Sequence, residues 1–282
     1  MKIHHTAIIS PKAEIAEDVE IGPYALVEGA SIIGPGCIIQ GHAILGGSVQ
    51  LGRGNIIGYG AAIGGDPQDH AFSPDVKSRV VIGDHNRIRE YCTIHRGTGE
   101  GSETVVGDHN YLMAGTHLAH NVKVGSHVTI GNNVLLAGYV EIQDHAYVGG
   151  GSVFHQFVRV GQLCLVQGNS KFGRDIPPFT IAAGYNTVVA LNRAALRKAG
   201  MTWEQRQELR HAFNLLYRTG LNVTQALEQA GQISWDAGGR AFFDFVDNSG
   251  KRGLCDIRKP RNAWKSEAII ERLLLDREIS LG

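Results

Sequence analysis

Residues 106–148 read VGDHNYLMAGTHLAHNVKVGSHVTIGNNVLLAGYVEIQDHAYV, and every sixth residue, from Val106 to Val148, is a large aliphatic one. The same step continues with apolar residues to Phe172, and two further runs with this period lie before residue 95. A period of six matches neither the 3.6-residue period of an amphipathic helix nor the alternation of a half-buried strand. The pattern therefore indicates an internal repeat of six residues.

The other positions of this hexad indicate how the repeat folds. Its fifth residue is usually small and its second is often glycine, which is abundant at 37 of 282 residues. Large and small inward residues separated by turns describe an all-β triangular prism of short parallel strands, with three hexads to a coil. Residues 18 apart should then stack at the interstrand spacing of about 4.8 Å. Glycine is expected at the turns because it tolerates a positive φ.

The prism also explains a pair of histidines in the opening stretch. His117 and His120 are three residues apart, and on a helix they would share one face and suggest a metal site. In a hexapeptide repeat they lie on a strand and at the corner that follows it. The helical metal interpretation is therefore excluded.

Composition argues against several classes of partner. Lysine plus arginine and aspartate plus glutamate are equal at 27 each, so neither nucleic acid nor an anionic membrane surface is indicated. No stretch approaches the roughly 20 apolar residues of a membrane span, and the N-terminal sequence lacks the features of a signal peptide. Four cysteines without paired spacing fit a reducing compartment. We therefore expect a cytoplasmic protein, and we expect Cys37, Cys92 and Cys164, which share one position of the hexad, to be packing residues.

The repeat is interrupted twice and then ends. Insertions at 64–79 and 95–105 are polar or glycine-rich and are expected to form loops, the second of them a flap. Beyond two prolines the sequence becomes helical, with predicted helices at 193–199, 202–219, 223–230 and 240–246. The expected units are a β-helix domain over 1–188, a helical domain over 189–255, and an extension over 256–282 made of a basic linker and one more helix.

A series of motifs connects the chain with a known family. IREYCTIHRGT at 88–98, THLAH at 116–120, VFHQF at 153–157 and DIPPF at 175–179 occur in this order, ahead of the helical tail. With the repeat, they make residues 1 to about 255 closely similar to the UDP-N-acetylglucosamine 3-O-acyltransferases of the hexapeptide-repeat superfamily. The resemblance implies a left-handed parallel β-helix with a C-terminal α-helical domain, and a homotrimer with active sites between subunits.

The same resemblance implies a reaction. Members of this family transfer an acyl chain, here expected to be a 3-hydroxyacyl chain, from acyl carrier protein to the 3-position of UDP-N-acetylglucosamine, the first step of lipid A synthesis. His120 matches the general base, the N–H of Gly138 matches the oxyanion donor, and Gly168 matches the position that limits acyl-chain length. No cofactor is implied. The expected contacts to the UDP-sugar are Gln68, Asp69, His117, Asn121, Tyr139, His155, Gln156, Asn192 and Lys198.

The stacking period supports this site independently of the family. Two steps of 18 from His120 reach Gly138 and Gln156, and Tyr139 and His155 are their neighbours in the chain. These residues should lie along one edge of the prism within about 10 Å. A column of polar side chains on an otherwise repetitive scaffold favours a functional site over inert surface residues.

Several positions depart from the family pattern. Ala71 replaces a lysine, Asn121 an aspartate and Tyr139 a histidine, and Ala194 and Ala199 stand in the row that matches nucleotide contacts. Asn121 can orient an imidazole through its carbonyl oxygen but cannot stabilise imidazolium by charge. Two alternatives follow. The acceptor could carry a 3-amino group, which needs less activation than a hydroxyl, or the chain could be a nucleotide-sugar-binding paralogue without turnover.

A metal enzyme is the remaining alternative, because γ-type carbonic anhydrases use the same coil with histidine ligands. His109, His127 and His145 are 18 residues apart and should stack in one row. A parallel row points its rings in one direction, whereas a catalytic zinc needs three ligands about 2.1 Å from a single centre. We therefore expect no metal site here.

Overall fold

The computed structural model describes residues 2–250 and 252–257, and most of this length is built from very short strands. The first 26 strands are two to four residues long. In chain order they are Lys2–Ile3 (β1), Ile8–Ile9 (β2), Glu14–Ile15 (β3), Glu20–Ile21 (β4), Leu26–Val27 (β5), Ile32–Ile33 (β6), Ile38–Ile39 (β7), Ile44–Leu45 (β8), Val49–Leu51 (β9), Ile56–Ile57 (β10), Ala62–Gly65 (β11), Arg79–Ile82 (β12), Arg87–Ile88 (β13), Thr93–His95 (β14), Glu103–Val106 (β15), Tyr111–Leu112 (β16), His117–Leu118 (β17), Lys123–Val124 (β18), Thr129–Ile130 (β19), Leu135–Leu136 (β20), Glu141–Ile142 (β21), Tyr147–Val148 (β22), Val153–Phe154 (β23), Arg159–Val160 (β24), Leu165–Val166 (β25) and Lys171–Phe172 (β26).

These strands form three parallel sheets, the faces of a triangular prism. Every third strand belongs to the same face: face 1 begins with β1 and ends at β25, face 2 runs from β2 to β26, and face 3 from β3 to β24. Each strand pairs with the strand one coil later, so that Leu112 is aligned with Ile130 and Ile130 with Val148. The predicted 18-residue stacking and the left-handed parallel β-helix are confirmed.

Both insertions leave the prism at the same corner, between faces 2 and 3. Residues 66–78 connect β11 with β12, and residues 96–102 connect β14 with β15. The coils realign beyond each insertion, because Ile57 pairs with Ile88 and Ile88 with Leu112. The two loops therefore lie beside the corner that follows β17, where the THLAH motif ends.

The repeated apolar residues form the core of the prism. Ile57 and Leu118 are fully buried, and small residues such as Ala43 fill the space between the large ones. All four cysteines are buried and free. Burial raises the pKa of the Cys92 and Cys164 thiols to about 11, so these thiols are protonated at neutral pH. The expectation that Cys37, Cys92 and Cys164 are packing residues is confirmed by their burial in the core.

The glycines at the second hexad position have a different role from the predicted one. Gly131 and Gly149 do not adopt a positive φ. A Cβ on either would lie 2.8 Å from a Cα in the next coil, that of Gly150 or Gly168. Positive φ occurs two residues later instead, as at Asn133 with 56°. The predicted reason was wrong, because close stacking of the coils, and not left-handed backbone, excludes a side chain at these glycines.

The chain leaves the prism through a hairpin and continues into helices. The hairpin strands are Thr180–Ala183 (β27) and Thr187–Leu191 (β28), and Asp256–Ile257 (β29) pairs with β28. The helices are Arg193–Lys198 (α1), Trp203–Tyr217 (α2), Val223–Ala230 (α3) and Ala237–Asp247 (α4). The four predicted helices are confirmed. The last begins before residue 240 because the Asp236 side chain caps it by accepting from the Gly239 N–H.

The capping box expected from Thr202 and Gln205 is present at the start of α2. The predicted boundary between residues 188 and 189 falls inside β28, and the domain limits stay a prediction. The linker and helix predicted for the 256–282 extension lie, beyond Ile257, outside the described residues. In the described part of the chain, no helix has both the length and the apolar character that a membrane span requires.

An ion pair joins the last coil to the helical part. Asp175 is 2% exposed, and it accepts hydrogen bonds from Nε and Nη2 of Arg159 at 2.9 and 2.7 Å. The same guanidinium lies 4.3 Å from the centre of the Phe245 ring in α4 and donates to the Phe245 carbonyl. This contact holds α4 against the end of the prism.

Candidate active site

His120 stands at the corner between faces 2 and 3. The chain turns here through His120 and Asn121, whose φ of 60° lies in the left-handed region that asparagine tolerates. The histidine is only 8% exposed. Its ring lies against Gly138 of the next coil, where a Cβ would come within 2.6 Å of Nε2. The imidazole therefore requires glycine at position 138.

Gly138 also offers an unused backbone donor. The N–H groups on either side of it, of Ala137 and Tyr139, donate to the carbonyls of Phe154 and His120. The Gly138 N–H has no acceptor within the described residues. A free backbone N–H beside a histidine is the kind of donor that stabilises an oxyanion. One chain thus brings His120 and Gly138 together.

The side chain of Asn121 determines which nitrogen of His120 carries the proton. Its Oδ1 lies 3.1 Å from His120 Nδ1 and 3.1 Å from the backbone nitrogen of Thr98. A backbone N–H can only donate, so the atom facing it is the amide oxygen. Nδ1 must then carry the proton and donate to that oxygen, which leaves the lone pair on Nε2. Nε2 is therefore the nitrogen available as a base.

Two further histidines lie near His120. His117 Nδ1 is 2.7 Å from Thr93 Oγ1, and the His117 ring meets that of His95 edge-on at 4.9 Å. Burial lowers the pKa of His117. Burial, with the added effect of the neighbouring His117 and His120, lowers the pKa of His95 to about 4. His95 was missed by the sequence reasoning, because the insertion that follows it breaks the 18-residue spacing that would otherwise align it with β17.

Arg96 organises the loop over residues 66–78. Its Nε donates to Asp66 at 2.9 Å, its Nη2 donates to the Pro74 carbonyl at 2.9 Å, and its guanidinium lies 4.8 Å from the centre of the Phe72 ring. The arginine side chain is only 13% exposed. Arg96 therefore ties the loop to the start of the second insertion, and Ser78 adds a bond by donating to the Gly97 carbonyl at 2.6 Å.

The predicted sugar contacts on this loop lie apart from His120. Gln68 and Asp69 are exposed, and an Asp69 carboxylate oxygen accepts from the Ala71 N–H at 2.9 Å. A cavity of about 860 Å³ lies between the loop and the preceding coils. Arg96 lines this cavity and His120 does not. Within one chain, the described contacts do not join Gln68 or Asp69 to His120.

Other predicted residues share the corner of His120. His155 and Gln156 lie there one coil beyond Gly138, and both are exposed. Phe157, which follows them, stacks on Tyr139 with ring centroids 4.8 Å apart. The Tyr139 ring in turn meets the His120 ring edge-on at 5.3 Å. The structure thus lines up a column of side chains over three successive coils.

Three predicted residues lie elsewhere. Gly168 is at the corner between faces 1 and 2. Asn192 is 4% exposed; its Oδ1 accepts from the Ala195 N–H as the cap of α1, and its Nδ2 donates to the Leu163 carbonyl. Lys198 is exposed in the last turn of α1. A single chain therefore does not assemble all of the predicted contacts, and the binding role of Asn192 stays a prediction.

The predicted row of histidines is present at the corner between faces 3 and 1. The rings of His109 and His127 are 5.0 Å apart and 6° from parallel, and those of His127 and His145 are 4.8 Å apart and 3° from parallel. His85 extends the stack at 5.1 Å from His109. Parallel rings do not converge on one ion. The residues that the structure describes contain no group of three or more potential ligands that could hold a metal.

The class of protein follows from the coil and its repeats. A family described as bacterial transferase hexapeptide (six repeats) matches residues 103–138. A second, described as UDP N-acetylglucosamine O-acyltransferase, domain 2, matches residues 175–255. The chain is thus a hexapeptide-repeat transferase.

Full-length relatives define the family more closely. The acyl-[acyl-carrier-protein]–UDP-N-acetylglucosamine O-acyltransferase of Halorhodospira halophila is 42% identical over 256 residues, which cover 90% of this chain and 98% of the relative. The enzyme of that name from Paraburkholderia phymatum is 44% identical over 261 residues, with the same coverage of 90% and 98%. The chain belongs to the UDP-N-acetylglucosamine O-acyltransferase family.

Solved structures agree with this assignment. The UDP-N-acetylglucosamine acyltransferase of Francisella novicida has a TM-score of 0.87 at 33% identity, covering 93% of this chain and 95% of its own. The UDP-N-acetylglucosamine O-acyltransferase of Moraxella catarrhalis has a TM-score of 0.85 at 37% identity, covering 90% of this chain and all of its own. The similarity therefore includes both the prism and the helices.

Proposed function

We propose that this chain transfers an acyl group from acyl carrier protein to the 3-position of UDP-N-acetylglucosamine or a close variant, with His120 as the general base. The names of the relatives support these substrates. The observation that carries the role of His120 is its position beside Gly138, with Nε2 free to accept a proton and an unused N–H next to it. The product would be the first intermediate of lipid A synthesis.

The reaction uses His120 Nε2 and the Gly138 N–H one after the other. Nε2 of His120 takes the proton of the sugar 3-hydroxyl as the oxygen attacks the carbonyl carbon of the acyl thioester. As the new C–O bond forms, charge develops on the carbonyl oxygen, and the Gly138 N–H donates to it. The C–S bond then breaks, and the imidazolium returns its proton to the departing thiolate. Products are an ester and the free thiol of the carrier.

A trimer would complete the site. The outward residues of face 2 include Ile8, Ile44 and Leu135, which are 68%, 42% and 46% exposed. This face borders both the corner of His120 and the corner of Gly168. Copies packed along it would cover apolar surface and bring different corners together. Light scattering should give three times the chain mass of 30.5 kDa, and a stable monomer would contradict the arrangement.

The carrier protein would dock on the helical part. Arg193, Arg197, Arg206 and Arg210 surround a cavity of about 210 Å³ that also contains Trp203, which is 63% exposed. Guanidinium groups bind phosphates and carboxylates well, and the acyl chain arrives on a phosphopantetheine arm. Arg210→Glu should raise the KM for the acyl carrier severalfold without a matching change in the KM for the sugar. If Arg210→Glu and the unmodified protein had equal KM values for the carrier, the docking surface would have to lie elsewhere.

A UDP-sugar with a 3-amino group is the second candidate acceptor. The observation that favours it is the contact of His120 with the neutral Asn121, which adds no negative charge beside an imidazolium. An amine is a stronger nucleophile than a hydroxyl and depends less on a charged base. The comparison is kcat/KM for the 3-hydroxy and 3-amino sugars with one acyl donor. A clear preference for the hydroxyl would remove the amine from consideration.

The experiment that tests the base is acyl transfer by His120→Ala. We expect kcat to fall about 10²–10⁴-fold, which is the usual loss on removing a general base. The circular dichroism spectrum should be unchanged. His145→Ala, at another corner of the prism, is the matched control and should retain turnover. Near-normal turnover of His120→Ala would contradict the assignment. Sugar binding without turnover in the unmodified chain would establish the non-catalytic alternative.

A further inference from the structure

The geometry points to Thr98 and Tyr139 as positioning residues, which hold His120 in its Nδ1–H tautomer through a chain of hydrogen bonds with a fixed direction. This inference rests on the proposed function, since it concerns the readiness of the proposed base. Tyr139 was expected to contact the sugar, and Thr98 was not singled out as a site residue. Thr98 belongs to the flap between β14 and β15.

The direction of the chain follows from which atoms carry hydrogen. Asn121 Oδ1 has none, so Thr98 Oγ1, 3.0 Å away, must donate to it. The Thr98 hydroxyl has only one proton, and this bond uses it. Tyr139 OH, 3.1 Å from Thr98 Oγ1, must therefore be the donor of that pair. Tyr139 thus donates to Thr98, and Thr98 donates to Asn121 Oδ1. His120 Nδ1–H donates to the same amide oxygen.

This chain of hydrogen bonds matters because the side-chain amide of asparagine can adopt two orientations. Rotating the Asn121 amide by 180° would present its NH₂ group to His120 Nδ1, and the ring would then have to accept at Nδ1 and carry its proton on Nε2. That tautomer cannot take a proton from the acceptor sugar. The rotation would also aim the NH₂ group at the Thr98 N–H, which can only donate. A carboxylate is symmetric and has no such wrong orientation.

The flap itself is anchored at this corner. The Asn121 N–H donates to Thr104 Oγ1 at 2.8 Å, and Thr104 is fully buried in β15. At the tip, Ser102 Oγ accepts from the Gly99 N–H at 2.9 Å. Asn121 is therefore held from both ends of the insertion, with Thr98 on one side and Thr104 on the other. The flap thereby acts on His120 without touching the ring.

The test compares Thr98→Val and Tyr139→Phe with Thr98→Ser, which keeps the hydroxyl. We expect kcat to fall about tenfold in Thr98→Val and about three- to tenfold in Tyr139→Phe, with both KM values within about twofold. Thr98→Ser should recover most of kcat. Tyr91→Phe, a tyrosine that is 70% exposed at another corner, is the control for removal of a phenol hydroxyl.

The direct measurement is the tautomer itself. Solid-state ¹⁵N spectra of protein labelled at histidine nitrogens, with the His120 signals assigned by difference from His120→Gln, report the fraction protonated at Nδ1. We expect mainly Nδ1–H in the unmodified protein and a rise of Nε2–H in Thr98→Val and Tyr139→Phe. An Nε2–H signal in the unmodified protein, or unchanged kcat and tautomer in both variants, would overturn the inference. A fully active His120→Ala would instead refute the proposed base.

Discussion

The imidazole of His120 and the backbone of Gly138 occupy adjoining coils so closely that no side chain fits between them, since a Cβ on Gly138 would lie 2.6 Å from His120 Nε2. The proposed base and the proposed oxyanion donor are therefore one unit of structure. Whatever moves one of them moves the other.

Gly138→Ala tests this unit. The added methyl group must displace the imidazole, because the coil backbone on which it stands cannot retreat without breaking its bond to the adjoining coil, that of the Tyr139 N–H to the His120 carbonyl. We expect kcat to fall at least 10²-fold while the melting temperature changes by only a few degrees. Gly173→Ala is the control, since its Cβ would make only an ordinary contact at 4.0 Å. Equal activity of the two variants would show that the ring can adapt.

Gly168 is the predicted determinant of acyl-chain length. A Cβ there would lie 3.0 Å from the Gly150 carbonyl oxygen, so even a methyl group makes a tight contact with the preceding coil. We expect Gly168→Met to shift the preference toward shorter acyl chains and Gly168→Ala to give an intermediate profile. The measurement is kcat/KM for a series of acyl carriers of increasing chain length. An unchanged profile in both variants would place the limit elsewhere.

Acid should weaken the fold through the buried histidines. The pKa of His95 is lowered to about 4 and that of His117 is also lowered, whereas unfolded histidines titrate near 6.5. From about pH 6.5 down to about 4 the unfolded chain binds more protons, so stability falls as the pH falls through this window. We expect His95→Gln to lose less melting temperature between pH 7 and pH 5 than the unmodified protein. His145→Gln, on the exposed row, should keep the original loss, and an equal loss in all three would contradict the prediction.

The ion pair between the prism and α4 should contribute strongly to stability. Asp175→Asn leaves Arg159, whose side chain is only 19% exposed, without its counter-charge, and we expect a loss of about 3 kcal/mol in the free energy of unfolding. The control is Asp256→Asn, which breaks a pair between Arg174 and a side chain that is 78% exposed; such pairs contribute about 1 kcal/mol or less. Urea unfolding followed at 222 nm measures both. Similar losses would mean that the buried pair is screened.

Much of the architecture could be predicted from the sequence because its interactions repeat. Each coil meets an almost identical coil, so a six-residue period of apolar residues is enough to predict the prism, the alignment of Leu112 with Ile130 and the parallel row of histidines. The helices were also predictable, since the Thr202 capping box is a local signal that acts within one turn.

The site depended on tertiary structure wherever the period is broken. The two insertions change the spacing between aligned residues, and only the folded chain shows that His95 lies against His117 and that Thr98 faces Asn121. Neither contact has a fixed separation in the sequence from which it could be read.

The sequence alone determined the repeat, the faces of the prism and the corner on which His120 stands, because hydrophobic burial at a regular period specifies them locally. Only the tertiary structure decided that the glycines before each turn are there for close coil contact, that Asn192 serves as a helix cap, and which nitrogen of His120 is free. These features depend on distances between atoms of different coils and loops, and a change of a few tenths of an ångström in such a distance is enough to matter. A one-dimensional pattern cannot specify distances of that kind.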